Sequence, residues 1–452
     1  MNSLVADLNY DEGAFHSWPM VPLGELGRWG SGGTPKRGTP GYYGGEIPWL
    51  KISDLTDGEV VASEERITPL ALQNSSAKLL EPGALFVAMY GSIGKLGLNK
   101  IACATNQAIA FCYPNERVSL KYLFWALRAL RPELISEGKG GTQQNISQGV
   151  LKNFQIPVPP RAHQDQIVEW IETALAALVE PRDRLATIPE LLKKFRQSVL
   201  AAACSGQLTA DWRASNTEEM TGIELAKRMT DATPSKKLRT APVEPDLKIP
   251  ETWSWSAIAN IAQIRGGIQK QPHRAPKSNA YNYLRVANVM RDRLDLTELS
   301  RFELADGELE TYRLQYGDLL VVEGNGSFNE IGRASIWRNE VQDCVHQNHI
   351  IRVRFNGLIP EFVNFFWNSP IGIEQVSATA VTTSGLYSLS TGKIGSLMIP
   401  VPGKSEQVEI VRRIESLFAL ADSIESRLAE ATAQVERTTQ AILAKAFRGE
   451  LT

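Results

Sequence analysis

Residues 156–209 begin IPVPPRAHQDQIVEWI and end GQLT, and residues 399–452 repeat this pattern, beginning IPVPGKSEQVEIVRRI and ending GELT. The offset between the two copies stays at 243 over all 54 positions, and 20 of these positions are identical. Average composition gives roughly one identity in twenty. The chain therefore contains an internal duplication, and a duplication of this length decides the architecture.

Both copies have the apolar spacing of a long helix. In the second copy, Ile410, Ile414, Leu417, Ala421, Ile424 and Leu428 recur at alternating intervals of three and four, which is the seam of a coiled coil. The first copy has a matching seam. The predicted coiled-coil interface comprises Ile167, Ile171, Leu178, Ile410, Ile414, Leu417 and Leu428.

A helix with so narrow an apolar seam cannot bury it alone, and two equal seams in one chain favour packing of helix against helix. The alternative is that each seam packs on the domain that precedes it. Each tract of about 40 residues would be roughly 60 Å long if it were continuous. Pro181 and Pro189 stand only in the first copy, so we expect a kink or a break there.

The segments that precede the two helices resemble each other more faintly. Residues 81–95 and 315–327 each contain a turn dipeptide, a short apolar run and a Gly/Ser loop, and residues 47–54 match residues 281–288. The predicted order is therefore globule, helix, globule, helix. The expected boundaries are 1–160 for the first globule, 161–209 for the first helical region, 210–250 for a polar linker, 251–402 for the second globule and 403–452 for the second helical region.

Composition narrows the class of protein. A chain of 452 residues with 43% hydrophobic and 22% charged residues is a folded protein of about three units. Its net charge of −2 excludes a protein that coats nucleic acid by bulk charge alone. Four cysteines without a C-x-x-C pair favour a reducing cytoplasm, and no apolar stretch approaches the ~18 residues that a membrane helix needs.

The catalytic motifs that can be recognised in the sequence each lack a required residue. Gly94-Lys95 resembles the end of a phosphate-binding loop, but Leu96 replaces the Ser or Thr that should follow. His346 and His349 lie in a strand-like run, where alternation places them on opposite faces rather than on one metal. Trp49 and Trp367 lie in apolar surroundings and are assigned to the core. We therefore expect a chain without catalytic activity.

A polar binding surface remains. Residues 265–293 contain seven basic side chains and one acidic one, interleaved with Gly, Gln and Tyr, and the first globule has a thinner version of this pattern. Lys and Arg neutralise phosphates, whereas amide and guanidinium groups read base edges in the major groove. The alternative is that these runs are solvated loops. The candidate DNA-binding residues are Lys36, Arg37, Tyr90, Ser92, Lys95, Gln143, Gln144, Asn145, Arg265, Gln269, Lys270, Arg274, Arg285, Asn325 and Ser327.

End to end, the chain resembles the specificity (S) subunit of type I restriction–modification systems. The resemblance rests on Gly32-Gly-Thr-Pro35, residues 44–54, Tyr90-Gly-Ser-Ile-Gly94 and Asn106-Gln107 in the first half. In the second half it rests on residues 283–289, 323–327 and 346–349, and both helices contain Gln-x-x-Ile-Val near the start and Gly-x-Leu-Thr at the end.

The resemblance implies an α+β fold in which two α/β target recognition domains are separated by two long helices that form an antiparallel coiled coil with pseudo-two-fold symmetry. It also implies a non-catalytic chain that recognises a bipartite, asymmetric sequence in double-stranded DNA. Two modification subunits with S-adenosylmethionine and two restriction subunits with ATP and Mg²⁺ would methylate adenine and cleave DNA. The alternative functions are a stand-alone DNA-binding protein on the same scaffold and a fused methyltransferase, although the latter would need about 200 further residues.

Overall fold

The computed structural model describes residues 18–138, 145–216, 220–234, 241–325, 330–383 and 386–448. It divides into two compact units. Unit 1 comprises residues 1–186 and 428–452, and unit 2 comprises residues 187–427. The boundary passes through both long helices, so each unit contains part of each of them.

Unit 1 is a set of short strands with small helices, followed by the start of the first long helix. Its strands are β1 Met20–Pro22, β2 Gly27–Ser31, β3 Tyr43–Leu50, β4 Gly58–Val60, β5 Glu65–Ile67, β6 Leu85–Ala88, β7 Leu96–Asn99, β8 Ala104–Thr105, β9 Ile109–Pro114 and β10 Gln155–Pro157. Its helices are α1 Pro69–Gln73, α2 Leu120–Ala129, α3 Arg131–Ser136, α4 Gln148–Asn153 and the long helix α5 Arg161–Cys204, which continues into unit 2.

Unit 2 has the same plan. Its strands are β11 Ser254–Ala257, β12 Ala262–Gly266, β13 Ala280–Leu284, β14 Ser300–Glu303, β15 Leu319–Val322, β16 Gly324–Asn325, β17 Ala334–Ile336, β18 Cys344–His346, β19 Ile350–Phe355, β20 Val381–Thr383, β21 Leu386–Ser388 and β22 Met398–Val401. Its helices are α6 Ala210–Ser215, α7 Gly222–Ala232, α8 Ile258–Ile261, α9 Glu308–Tyr312, α10 Pro360–Trp367, α11 Pro370–Thr379, α12 Thr391–Ser396 and the long helix α13 Lys404–Arg448, which ends in unit 1.

The sheets show that the duplication extends through the globules. The main sheet has the order β2-β9-β6-β7-β4 in unit 1 and β12-β19-β15-β17 in unit 2. The second sheets, β5-β3-β8 and β14-β13-β18, also correspond, as do the pairs β1-β10 and β11-β22. Central strands β6 and β15 are buried along their whole length, as expected for continuous apolar runs. The predicted correspondence between the two globules is confirmed.

Matching one-turn helices follow the central strand of each second sheet. In unit 1 the backbone N–H of Lys51 donates to Asp54 Oδ2 at 2.7 Å. In unit 2 the N–H of Arg285 donates to Asn288 Oδ1 at 2.8 Å. The side chain three residues on therefore caps both turns, and this equivalence agrees with the faint match between residues 47–54 and 281–288.

The beginning of each long helix is buried on two sides. In unit 1, Ile167 and Ile171 share a core with Tyr122 of α2 and with Leu443 and Ala446 of α13. In unit 2, Ile410 and Ile414 share a core with the α5 residues Val199, Leu200 and Ala203 and with Phe362 of α10. Both arrangements that the sequence left open are therefore present, because each of these hydrophobic clusters includes residues of the other long helix and of the preceding globule. Leu178, Leu417 and Leu428 are half-buried.

Polar contacts give the direction of the two helices within unit 2. Arg196 of α5 donates to Asp422 at 2.7 Å, and Arg413 donates to the carbonyl of Leu208, just beyond the end of α5, at 2.8 Å. As the residue number rises along α5, the number of its contact residue on α13 falls. The two helices are therefore antiparallel within unit 2.

Helix α5 runs without interruption from Arg161 to Cys204, so the predicted break at Pro181 or Pro189 is wrong. A proline removes one helical hydrogen bond and crowds the carbonyl four residues earlier. Both prolines lie at exposed positions, where water can satisfy the carbonyl that is released. A kink at these prolines stays a prediction.

Candidate nucleic-acid interface

Four loop segments of unit 1 meet beside the main sheet. The N–H of Gly33 donates to the carbonyl of Thr105 at 2.9 Å, and the Thr34 hydroxyl donates to Gln107 Oε1. The N–H of Met89 donates to the carbonyl of Ala108 at 2.8 Å. Tyr90 forms an isolated antiparallel bridge with Asn145. These hydrogen bonds bring residues 32–37, 89–92, 105–108 and 145 together, and we call this group of segments the loop face of unit 1.

Unit 2 builds the same surface from equivalent segments. The N–H of Ile268 donates to the carbonyl of His346 at 2.9 Å, and the N–H of Asn348 donates to the carbonyl of Ile268 at 3.0 Å. The N–H of Glu323 donates to the carbonyl of His349 at 2.9 Å, and the N–H of Leu389 donates to the backbone carbonyl of Glu323 at 2.7 Å. Residues 265–270, 323–325, 346–349 and 386–389 form the loop face of unit 2.

One glycine in each unit allows these loops to cross. A Cβ atom on Gly32 would lie 2.1 Å from the carbonyl oxygen of Thr105, and a Cβ atom on Gly267 would lie 2.1 Å from the carbonyl oxygen of His346. Any other residue would push the crossing backbones apart. The Gly-Gly pairs at 32–33 and 266–267 in the sequence thus mark where two loops pack directly on each other.

The candidate residues of the first half lie either on the loop face of unit 1 or beside the second sheet and the turn that follows it. Tyr90, Ser92 and Asn145 are exposed and lie together on the loop face. Lys36 is exposed on the same face. Lys95 is half-buried, and its Nζ donates to the carbonyl of Ile52 at 3.4 Å. Gln143 and Gln144 lie outside the described residues.

Arg37 is held by neighbours from the second sheet. Its guanidinium lies 4.7 Å from the centre of the Tyr43 ring and 5.5 Å from that of Trp49, and it pairs with Glu65 at 2.9 Å. The side chain is still 60% exposed, so it presents a fixed planar fork to solvent. Trp49 itself is buried and donates to the carbonyl of Gly33 at 3.1 Å, which confirms that it belongs to the core. Trp367 is equally buried and donates to the carbonyl of Gly332 at 2.8 Å.

The basic run of the second half separates into free and engaged side chains. Gln269 and Lys270 are exposed on the loop face of unit 2. Arg265 is exposed too, although it donates to the carbonyl of Thr311 at 3.3 Å. Arg274 instead makes a two-pronged ion pair with Glu308 at 2.6 and 2.8 Å.

The three other candidates of this half differ in how far the structure describes them. Arg285 is 40% exposed at its side chain and lies 3.6 Å from Glu298. Asn325 lies in β16, but its side chain is outside the described residues, and Ser327 lies outside them altogether.

The loop faces also contain polar residues that the site prediction missed. Gln107 in unit 1 and Asn348 in unit 2 follow equivalent strands, and the exposed His349 is 3.0 Å from the carboxylate of Glu323. The repeated amide dipeptides Asn106-Gln107 and Gln347-Asn348 were the available signal. His346 is fully buried at the end of β18, whereas His349 is exposed in the turn that follows, so the difference in exposure between the two histidines does not come from alternation along one strand. Burial lowers the pKa of His346 to about 4 and keeps it neutral.

The chemistry of the two faces is that of hydrogen bonding and charge. Amides, hydroxyls and guanidinium groups on crossing loops are the groups that read base edges and contact phosphates. Within the described residues, no cluster of three or more His, Cys, Asp or Glu side chains is arranged to hold a metal ion. In that same part of the chain, no helix is long and apolar enough to cross a membrane.

Comparison with known proteins identifies the family. Residues 16–185 match the type I restriction modification DNA specificity domain. The chain is 30% identical over 419 residues to the type I restriction enzyme EcoBI specificity subunit of Escherichia coli, an alignment that covers 90% of this chain and 80% of that relative. It is 28% identical over 415 residues to the EcoKI specificity subunit of Escherichia coli K12, which covers 90% and 82% of the two chains.

The fold agrees with a solved structure. This chain superimposes with a TM-score of 0.55 on a chain of a solved structure, which is titled "Structural basis underlying complex assembly and conformational transition of the type I R-M system". The match covers 96% of this chain and 98% of that chain at 16% identity. The sequence relationship and the two loop faces lead to one conclusion: the protein belongs to the specificity subunits of type I restriction–modification systems, the non-catalytic subunits that provide DNA sequence specificity.

Proposed function

We propose that the two loop faces read the two halves of a bipartite, asymmetric DNA sequence. The observation that supports this proposal is that equivalent loops cross in the same way in both units, held by equivalent backbone hydrogen bonds. A duplicated scaffold of this kind presents two comparable surfaces to the grooves of double-stranded DNA. In this proposal residues 1–160 and 251–402 are the two target recognition domains.

The side chains on the two faces differ, and this difference is the reason to expect an asymmetric site. The face of unit 1 combines the neutral hydrogen-bonding groups of Thr34, Gln107 and Ser92 with the basic side chains of Lys36 and Arg37. The face of unit 2 carries Lys270 and the Glu323–His349 pair. Because base readout depends on the pattern of donors and acceptors, two faces with different patterns select different sequences.

The long helices supply the spacing and the assembly in this proposal. Regions 161–209 and 403–452 would fix the separation of the half-sites, with residues 210–250 as the linker between the repeats. Two modification subunits with S-adenosylmethionine and two restriction subunits with ATP and Mg²⁺ would carry out methylation and cleavage. In this proposal the chain itself would need no cofactor, and the complex would act on DNA in the cytoplasm.

Mapping of methylated adenines tests the proposal directly. The chain is expressed with its modification subunits in a host without adenine methylation, and the methylated positions of the genome are sequenced. We expect one motif with two different half-sites separated by a fixed gap. A continuous motif, or two identical half-sites, would contradict the proposal.

Two variants then assign the faces to the halves. Gln107→Ala in unit 1 and Asn348→Ala in unit 2 should each relax a base in one half only, at a cost of ~1–3 kcal/mol if the amide reads that base. Gln155→Ala is a matched control because this glutamine is exposed on β10, which is part of neither loop face. If both face variants leave the motif unchanged, the assignment of the loop faces is wrong.

A further inference from the structure

Two glutamines occupy equivalent positions at the start of the long helices. Gln164 is the fourth residue of α5 and Gln407 is the fourth residue of α13, and the two positions differ by the repeat offset of 243. Both side chains are completely buried. A buried amide has to be hydrogen-bonded, because leaving it unpaired costs free energy.

Both amides bond to backbone groups that lead into a helix of the globule. Gln164 Oε1 accepts the N–H of Ser119 at 2.9 Å, and its Nε2 donates to the carbonyls of Arg117 and Pro159 at 2.8 and 2.9 Å. Ser119 is the residue that caps the N-terminus of α2. Gln164 thus links the first turn of α5 to the start of α2.

Gln407 repeats this link in unit 2. Its Oε1 accepts the N–H of Ile359 at 2.8 Å, and its Nε2 donates to the carbonyl of Pro402 at 2.9 Å. Ile359 is the residue before α10, which is the counterpart of α2. The same connection between globule and long helix is therefore made twice by the same type of side chain.

Glutamine suits this position because its side chain has an acceptor and two donor hydrogens on one planar group. Glutamate has no donor for the carbonyls, and methionine, which has a similar shape, forms neither strong bond. The apolar neighbours Ile167 and Ile410 bury area, but their contacts are non-directional. The hydrogen bonds of the glutamine add a fixed direction to this packing.

We propose that Gln164 and Gln407 are positioning residues that hold each recognition globule at a fixed angle on the long helix that follows it, and thereby fix the gap that the protein accepts between the two DNA half-sites. This inference rests on the proposed function. The two residues do not touch DNA in this proposal, and they act through α2 and α10.

The test measures gap tolerance, defined as the affinity for a gap one base pair longer than the native gap divided by the affinity for the native gap. The full chain is assembled with its modification subunits and titrated with duplexes that contain both mapped half-sites and differ only in the gap. We expect Gln164→Met and Gln407→Met each to raise this ratio about tenfold, which corresponds to about 1.4 kcal/mol. The base preference within each half-site should stay unchanged.

Gln375→Met is the matched control. Gln375 donates to the carbonyl of Met398 at 3.0 Å and accepts the N–H of the same residue at 2.9 Å, so it links α11 to β22 inside the globule of unit 2. A general loss of stability should lower the melting temperature of all three variants. Only a positioning role should change the gap tolerance of Gln164→Met and Gln407→Met while leaving that of Gln375→Met intact.

Each outcome decides one question. If folded Gln164→Met and Gln407→Met keep the wild-type gap tolerance, or if Gln375→Met raises it equally, the positioning role is refuted. If one variant fails to fold, the other tests the inference by itself, because both glutamines make the same link. If the wild-type complex binds no bipartite site at all, the proposed function fails before the glutamines are tested.

Discussion

Lys270 and Arg274 are only four residues apart in the basic run, yet the structure predicts opposite consequences for their replacement. Lys270 is exposed on the loop face of unit 2, and within the described part of the chain its ammonium group forms no ion pair. We therefore expect Lys270→Ala to remove one phosphate contact and to weaken the binding of every DNA sequence alike.

The magnitude follows from counterion release. Each phosphate that a lysine neutralises adds ~0.9 to the slope of log affinity against log salt concentration. Loss of one contact should therefore lower the slope by ~0.9, which amounts to an affinity loss of about eightfold at 0.1 M salt and about fifteenfold at 0.05 M salt. The preference for the specific sequence over a scrambled one should not change.

Arg274→Ala should instead destabilise unit 2. The Arg274 guanidinium pairs with Glu308 at 2.6 and 2.8 Å and lies 5.6 Å from the centre of the Phe302 ring, and its side chain is 18% exposed. Its removal leaves the half-buried carboxylate of Glu308 without this partner. The free energy of unfolding should fall by ~1–3 kcal/mol, with no change in the salt slope.

The assay is a fluorescence-anisotropy titration of the assembled complex on specific and scrambled duplexes at several salt concentrations between about 0.05 and 0.2 M. Urea unfolding of each variant chain accompanies it. An unchanged slope for Lys270→Ala, or a reduced slope for Arg274→Ala, would refute the separation of the basic run into free and engaged side chains.

Three further results are expected. Insertion of four residues after Ala429 adds ~6 Å of helix and shifts the seam, so methylation mapping should show an altered half-site gap or no assembly; an unchanged gap would contradict the spacer role. The pKa of His346 lies at about 4 in the folded chain against 6.5 for the free side chain, so the unfolded state binds more protons between these values. Unfolding free energy should therefore fall by about 2 kcal/mol from pH 7 to pH 5, and urea titrations of His346→Gln should lack this component. Glu406 is buried and accepts the indole N–H of Trp253 at 2.7 Å, so Glu406→Ala should lower the unfolding free energy by about 3 kcal/mol, whereas exposed Glu415→Ala should change it little.

Proline in α5 shows where local rules were too strict. The sequence predicted a kink or a break at Pro181 and Pro189, because proline disturbs a helix wherever it stands. The helix is not interrupted, since both residues face solvent. Whether a residue is exposed on a long helix depends on what packs around that helix, and the local sequence contains this information only in part.

The DNA-binding candidates show a different limit. Composition identified the basic run, but it treated Lys270 and Arg274 as equivalent. The partner that separates them, Glu308, lies 34 residues beyond Arg274. The link made by Gln164 has the same character, because Ser119 lies 45 residues before it. Such pairs form when distant segments are brought together, so neither could be derived from a local pattern.

The amino-acid order alone determined the duplication, the two long helices and the alternation of globule and helix. These features follow from hydrophobic periodicity, which acts over neighbouring residues, and from identities at a constant offset, which need only a comparison of the sequence with itself. Only the tertiary structure decided that the seam residues are buried together with the preceding globule as well as with the other helix, which basic groups form ion pairs, and which buried amides bond the first turn of each long helix to its globule. These are properties of side chains that meet after folding, where burial and hydrogen-bond geometry depend on residues far away in the chain.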